Sequence, residues 1–366
     1  MTLLAIYSNG LYKPRYLTRQ AFPRAPRPSR LIGTAAYHRM SRGRILSAID
    51  GMKCGLSQTW VSIPNANRRK PRLNCSCGLW RNLLPHVFTA LASVHRPDPT
   101  LANGAVCQFG VFQEKSMRMM RHMEPFANAP MIGFDSFEGL PSSLSRSERS
   151  EWSPGQFAAD PRTELQNTIG REGATAQFVR GFFNESLVQP GLVRQLGKKI
   201  AKYVDIDVDL YSSALEALTF MFESGLVVPG TVIGYDDWWS GPCRRGWTAS
   251  ASPLQTSEGL AHAEIARKYG ATFICLASGC RPGVPCPAFG VIFLVASIGD
   301  TPGGDPGFAM SDSDALEFME NDAVCRAKRA VFRAQPDRVS NPPKSVGSVY
   351  SRHSPAPRDP RPTAAD

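Results

Sequence analysis

The sequence predicts an α/β protein built on a doubly wound, mostly parallel sheet, and two stretches carry that expectation. Residues 203–209, YVDIDVD, alternate apolar and acidic side chains as a buried strand ending in carboxylates would. Leu215, Leu218 and Phe222 then recur at helical spacing until Gly225, with Ser212 or Ser213 placed to N-cap the helix. A second strand, residues 231–235, ends in Asp236 and Asp237, completing a βαβ unit. The other stretch, residues 105–134, repeats the strand–helix–strand pattern and ends at Asp135. Both units deliver acids to the carboxyl ends of their strands, the edge where open α/β sheets bind ligands.

The remaining segments are expected as follows. Residues 1–96 are punctuated by Pro, Arg and Ser and read as a basic, mostly disordered arm with one apolar helix at 83–94. Sixteen of the 42 Lys and Arg but only two of the 31 acids fall in residues 1–100, a balance of +14 that leaves −3 for the rest. The +11 overall therefore describes the arm. Its Arg-rich, acid-poor text resembles an organelle transit segment, the alternative to a cytoplasmic protein. Few aromatics are interleaved with its arginines, which argues against stacking-based nucleic-acid binding. No run approaches the roughly 18–20 apolar residues a membrane span needs, so no membrane partner is expected.

Order is expected from about residue 97 to 300. Met117, Met120 and Met123 recur at helical spacing and read as core. Further helices are expected at 162–172, 187–196 and 256–268, and strands at 176–180, 271–276 and 289–295. Residues 301–366 read as a helix near 311–333 and a disordered tail. Nine cysteines without a secretory signal suggest free thiols in a reducing compartment, the Cys280 to Cys286 loop included.

Three or more carboxylates converging on one crevice repel one another unless a cation compensates, and hard oxygen ligands suit Mg2+, Ca2+ or Mn2+. The alternative is plain: Asp205 and Asp209 solvate a strand end while Asp236 and Asp237 make a turn. At Asp135 a carboxylate ending the second strand is placed to accept from both hydroxyls of a ribose.

Five segments in order, FGVF with Ser116, GFDSFEGLP, GFF, DVDLYSS and the Asp236-Asp237 pair followed by aromatics, resemble the macrocin O-methyltransferase family over residues 104–298. The resemblance implies the class I methyltransferase fold, Rossmann-like with an antiparallel last strand. It also implies S-adenosylmethionine as methyl donor and Mg2+ as the ion that orients a small-molecule acceptor, a sugar or glycosylated natural product. By position, Gly110, Phe112, Ser116, Asp135 and Ser136 would hold the cofactor. Asp207, Asp236 and Asp237 would hold the metal, with Asp207 also the base. The chain departs from the family pattern at Gln108, where relatives carry Glu, and at Glu114, where they carry Gly; a side chain there is expected to intrude on the cofactor loop.

Asp209 is expected to be structural. Trp238, Trp239 and Trp247 either stack on an acceptor ring or roof the site, His262 packs or lies at the surface, and Arg244 and Arg245 are solvated. A catechol or phenol acceptor is the second reading, and a non-catalytic RNA-binding protein of the same fold is the third. Homo-oligomerisation is left open.

Overall fold

The computed structural model describes residues 42–50, 80–94, 98–144, 148, 152–159, 176–244, 252–282, 289–322 and 325–327. The expected helix at 162–172, the tail beyond 333, Arg245, Trp247, the Arg244 side chain, and Cys54, Cys75, Cys77 and Cys286 lie outside the described residues.

Seven strands form one sheet: β1 (Ala105–Phe109), β2 (Met131–Asp135), β3 (Ala176–Arg180), β4 (Ala201–Ile206), β5 (Val232–Tyr235), β6 (Thr272–Ser278) and β7 (Val291–Ser297). Their order is β3-β2-β1-β4-β5-β7-β6. β1 to β5 run parallel, and β7 inserts antiparallel between β5 and β6. This is the class I methyltransferase fold, with the antiparallel strand the resemblance implied. The chain reverses its direction of sheet growth between β1 and β4, so a crevice opens above the carboxyl ends of those two strands.

The alternation of each strand feeds two apolar layers. Ala105, Cys107 and Phe109 of β1 and Val204 and Ile206 of β4 face one layer, whereas Val106 and Tyr203 face the other. Helices α1 (Arg42–Asp50), α2 (Leu84–Val94) and α3 (Lys115–Arg121) cover the Val106 face. Helices α4 (Tyr211–Glu223), α5 (Ser257–Lys268) and α6 (Asp312–Asn321) cover the other, with α4 packed along α5. Met117, Met120 and Met123 are buried as expected, but α3 ends at Arg121 and Met123 reaches the core from an extended residue beyond it.

Several local expectations change. Folded structure does not wait for residue 97: α1 packs on α2 and on β6, and Ile45, Ile49, Trp80, Leu84 and Val87 are all buried. Short apolar segments set in Pro- and Arg-rich text vanish in an average over the arm. Neither Ser212 nor Ser213 caps α4; Leu210 holds the N-cap position without a side-chain bond. β4 ends at Ile206, and Asp209 lies beyond it in a left-handed turn at φ 61°. Two sulfur pairs are bonded, Cys243–Cys325 and Cys275–Cys280, where free thiols were expected; Cys107 is free and buried. A pair 82 residues apart leaves no trace in local spacing. Among the described residues no helix is long and apolar enough to cross a membrane.

Candidate functional site

A cavity of about 1750 Å3 occupies the crevice above β1 and β4. Gly110, the residue after β1, turns at φ 81° against the backbone of Asp207, and a Cβ there would collide with the Asp207 carbonyl oxygen. The two strand ends can approach only because that position is glycine. Phe112, Asp135, Ser136, Asp207, Asp236 and Asp237 share the cavity lining with it. Ser116 is not in that lining; its hydroxyl accepts a 2.6 Å bond from the Gln108 amide, which also donates to the Gly110 carbonyl.

Asp135 braces this loop. Its Oδ2 accepts from the backbone N–H groups of Val111 (2.7 Å) and Phe112 (2.8 Å), and its Oδ1 from that of Phe137 (2.6 Å). The carboxylate thus fixes the β1 and β2 turns to each other, a role the sequence did not disclose. Glu114 adopts a left-handed conformation at φ 63° and is buried, outside the cavity lining. Its side chain is not among those that face the cavity.

The carboxylates of Asp207, Asp236 and Asp237 offer oxygens that all lie within 4.8 Å of one another, a spacing fit for one cation. Burial and the neighbouring Asp236 charge push the Asp207 carboxyl well above the usual carboxylate range, against the pull of Arg81. Glu258 of α5 ties the two acidic turns together: it is fully buried and accepts from the Val208 N–H (3.2 Å) and the Asp237 N–H (2.9 Å). Its carboxyl is likewise held far above its ordinary value, by burial and by Asp237.

The largest surprise comes from the segment read as an arm. Arg81 reaches into the acidic cluster with its side chain 5% exposed, 3.0 Å from Asp205 and 2.9 Å from both Asp207 and Asp236. Burial works against the guanidinium charge, yet Asp205, Asp236 and Asp207 together hold its pKa well above the usual arginine value. Asp205 is therefore not a solvated strand end; it is fully buried against Arg81 and the Tyr203 hydroxyl (2.8 Å). An arginine ahead of an apolar helix and a glutamate opening another carry no sequence signal for this role.

The aromatic and histidine expectations resolve toward packing. Trp238 and Trp239 are fully buried, the first beside His262 and Phe293, the second against Phe318. Neither can stack on a ligand. His262 is buried between the Tyr235 hydroxyl on Nδ1 and the Pro306 carbonyl on Nε2, each at 2.8 Å. Two exposed aromatics do line the cavity, Phe112 and Phe157, which meet edge-on, and Phe157 also meets the buried Trp152.

No protein-family model matches the chain, and no curated protein matches it. Among solved structures, it is similar to the calicheamicin methyltransferase CalS11, at 18% identity over 62% of this chain and 87% of that one, with a TM-score of 0.36. An apo structure of CalS11, described as a TDP-rhamnose 3'-O-methyltransferase, matches at 17% identity, covering 62% of this chain and 88% of that one, with a TM-score of 0.33. An O-methyltransferase family protein from Burkholderia thailandensis matches at 12% identity, 62% and 59% coverage and a TM-score of 0.27. Matches this distant carry no argument of their own; the strand order and directions carry the fold assignment.

Proposed function

We propose that the chain is an S-adenosylmethionine-dependent O-methyltransferase that methylates a hydroxyl of a sugar or glycosylated natural product, with Mg2+ at the acidic crevice. One observation carries this reading. The carboxylates of Asp207, Asp236 and Asp237 share a single cavity with Gly110 and Asp135, at the switch point of a methyltransferase sheet.

The residues present fit both groups. The lining includes Asp135, Glu138, Glu148, Asp207, Asp236 and Asp237, acids that suit a donor bearing a sulfonium and an ammonium. For the ion, Asp207, Asp236 and Asp237 bring hard carboxylate oxygens within 4.8 Å of one another, a donor set suited to a divalent cation. Asp207, Asp236 and Asp237 would hold the cation, and the Gly110 turn with Phe112, Asp135 and Ser136 would hold the donor, Ser116 acting through Gln108.

When bound, the donor supplies an activated methyl group and the cation polarises the acceptor oxygen. The protein's own part is mainly placement, since displacement at a methyl carbon needs the acceptor oxygen held in line with the breaking bond to sulfur. Asp135 keeps the donor loop rigid through its three backbone bonds. Asp207, in the cavity lining with Gly110, would take the hydroxyl proton as the new carbon–oxygen bond forms and the carbon–sulfur bond breaks. Phe112 and Phe157 offer apolar surface to the face of a sugar or aromatic ring, with the buried Trp152 packed behind Phe157.

The test is an acceptor screen with labelled donor over sugars, glycosides, phenols and catechols, with and without EDTA. Labelled sugar or glycoside products that disappear in EDTA support the proposal. Transfer to phenols or catechols alone would move the reading to that second class, and absence of transfer together with absence of donor binding would overturn it.

A further inference from the structure

Arg81 is built into the acidic crevice by more than its ion pairs. Its neighbour Trp80 lies over two glycines, Gly234 of β5 and Gly290, and a Cβ at either position would run into the indole ring. The Trp80 Nε1–H donates to Asp236 Oδ1 at 2.6 Å, and the Arg81 guanidinium lies 4.6 Å from the centre of the Trp80 ring. Arg81 Nε donates to both oxygens of Asp205, at 3.1 and 3.0 Å, while Nη1 donates to Asp236 Oδ1 and Nη2 to Asp207 Oδ2. A guanidinium fixed on three carboxylates and seated beside a wedged tryptophan cannot swing aside for a ligand without unpacking that wedge.

We propose that Arg81 is the resident counter-cation of the crevice: it holds Asp207 and Asp236 together in the metal-free protein and sets a lower affinity for the divalent ion. The inference rests on the metal reading above. Two of the three ligand carboxylates already share one oxygen with a fixed positive charge. An ion bound by Asp207, Asp236 and Asp237 must use the remaining oxygens and lie beside a like charge, which weakens its binding. In return the ligands need not be gathered from a mutually repelling, splayed state. A crevice of this kind takes up the cation readily and releases it readily, and its occupancy is tied to the segment carrying Trp80 and Arg81.

The test measures Mn2+ binding to the full chain by electron paramagnetic resonance, without donor or acceptor, for the parent, Arg81→Met and Arg81→Lys. The ammonium of the lysine variant is a single point charge and cannot serve three carboxylates at once. Arg81→Met should bind Mn2+ at least about tenfold more tightly than the parent, with Arg81→Lys between them. In EDTA the melting temperature of Arg81→Met should fall, and saturating Mn2+ should raise it by more than it raises the parent's. If Arg81→Met folds only with Mn2+ present, that too supports the proposal; if it folds in neither condition, Arg81→Lys decides. A parent that binds Mn2+ while the variants bind it no more tightly overturns the role of Arg81 alone. No Mn2+ binding by parent or variants overturns that role together with the metal reading.

Discussion

Replacing Asp135 with alanine separates two roles for this carboxylate, a ribose contact and a brace between two turns. In the structure it accepts three backbone N–H bonds at 2.6–2.8 Å, from Val111, Phe112 and Phe137. Hydrogen bonds to a charged acceptor contribute about 1.5–3 kcal/mol each. Phe112 is 36% exposed at the cavity rim, so water replaces part of what is lost there. The expected net loss for Asp135→Ala is therefore about 3 kcal/mol, and at about 2–4 °C per kcal/mol the melting temperature should fall by roughly 6–12 °C. Asp135→Asn should recover less than half, because its NH2 group must face at least one of the three donors. Urea titrations with unchanged m-values would measure both variants. An alanine variant within about 0.5 kcal/mol of the parent that nonetheless loses S-adenosylmethionine affinity would refute the brace and restore the simple ribose contact.

Three further outcomes follow from the packing. A chain starting at residue 97 loses the buried side chains of Trp80, Leu84 and Val87, each contributing roughly 1.5–3 kcal/mol, and should lack the cooperative melt of a chain starting at residue 42. Glu114→Gly should leave S-adenosylmethionine affinity within about twofold by calorimetry, since Glu114 lies outside the cavity lining and its relief from a left-handed backbone is offset by glycine's entropy. Burial lowers the His262 pKa to about 4, below the ordinary imidazole value of 6.5, so the unfolded chain takes up the proton first. Its contribution to stability is complete above pH 6.5 and is lost as pH falls toward 4. Its imidazole resonances should therefore not titrate between pH 8 and 5; a midpoint near 6.5 would contradict the buried, neutral ring.

What the sequence disclosed was local. The alternation of residues 203–206 and the acids closing β4 and β5 were legible because period-2 patterning and strand ends are written in consecutive residues. Met117 and Met120 of α3 were legible for the same reason at helical spacing, whereas Met123 is buried from an extended residue beyond the helix end. Arg81 was not, because it meets Asp205, Asp207 and Asp236 across 124 to 155 residues of chain with no periodic signal at its own position. Glu258 and the Cys243–Cys325 pair share that difficulty. Asp135 was placed at the right strand end, but which donors its oxygens meet depends on how two turns dock. Trp238 and Trp239 sit next to the acids in sequence, and only the path of the chain after Asp237 turns them into the core.

The central claim is that the crevice between β1 and β4 binds S-adenosylmethionine, and calorimetric titration of that ligand into the parent and Gly110→Ala tests it most directly. A Cβ at Gly110 would meet the Asp207 carbonyl, so the substitution pushes the two strand ends apart at the floor of the cavity. The parent should bind with one site per chain, and Gly110→Ala, if still folded by circular dichroism, should lose at least about tenfold in affinity, or 1.4 kcal/mol. No binding by a folded parent, or equal binding by a folded Gly110→Ala, would contradict the assignment of this crevice.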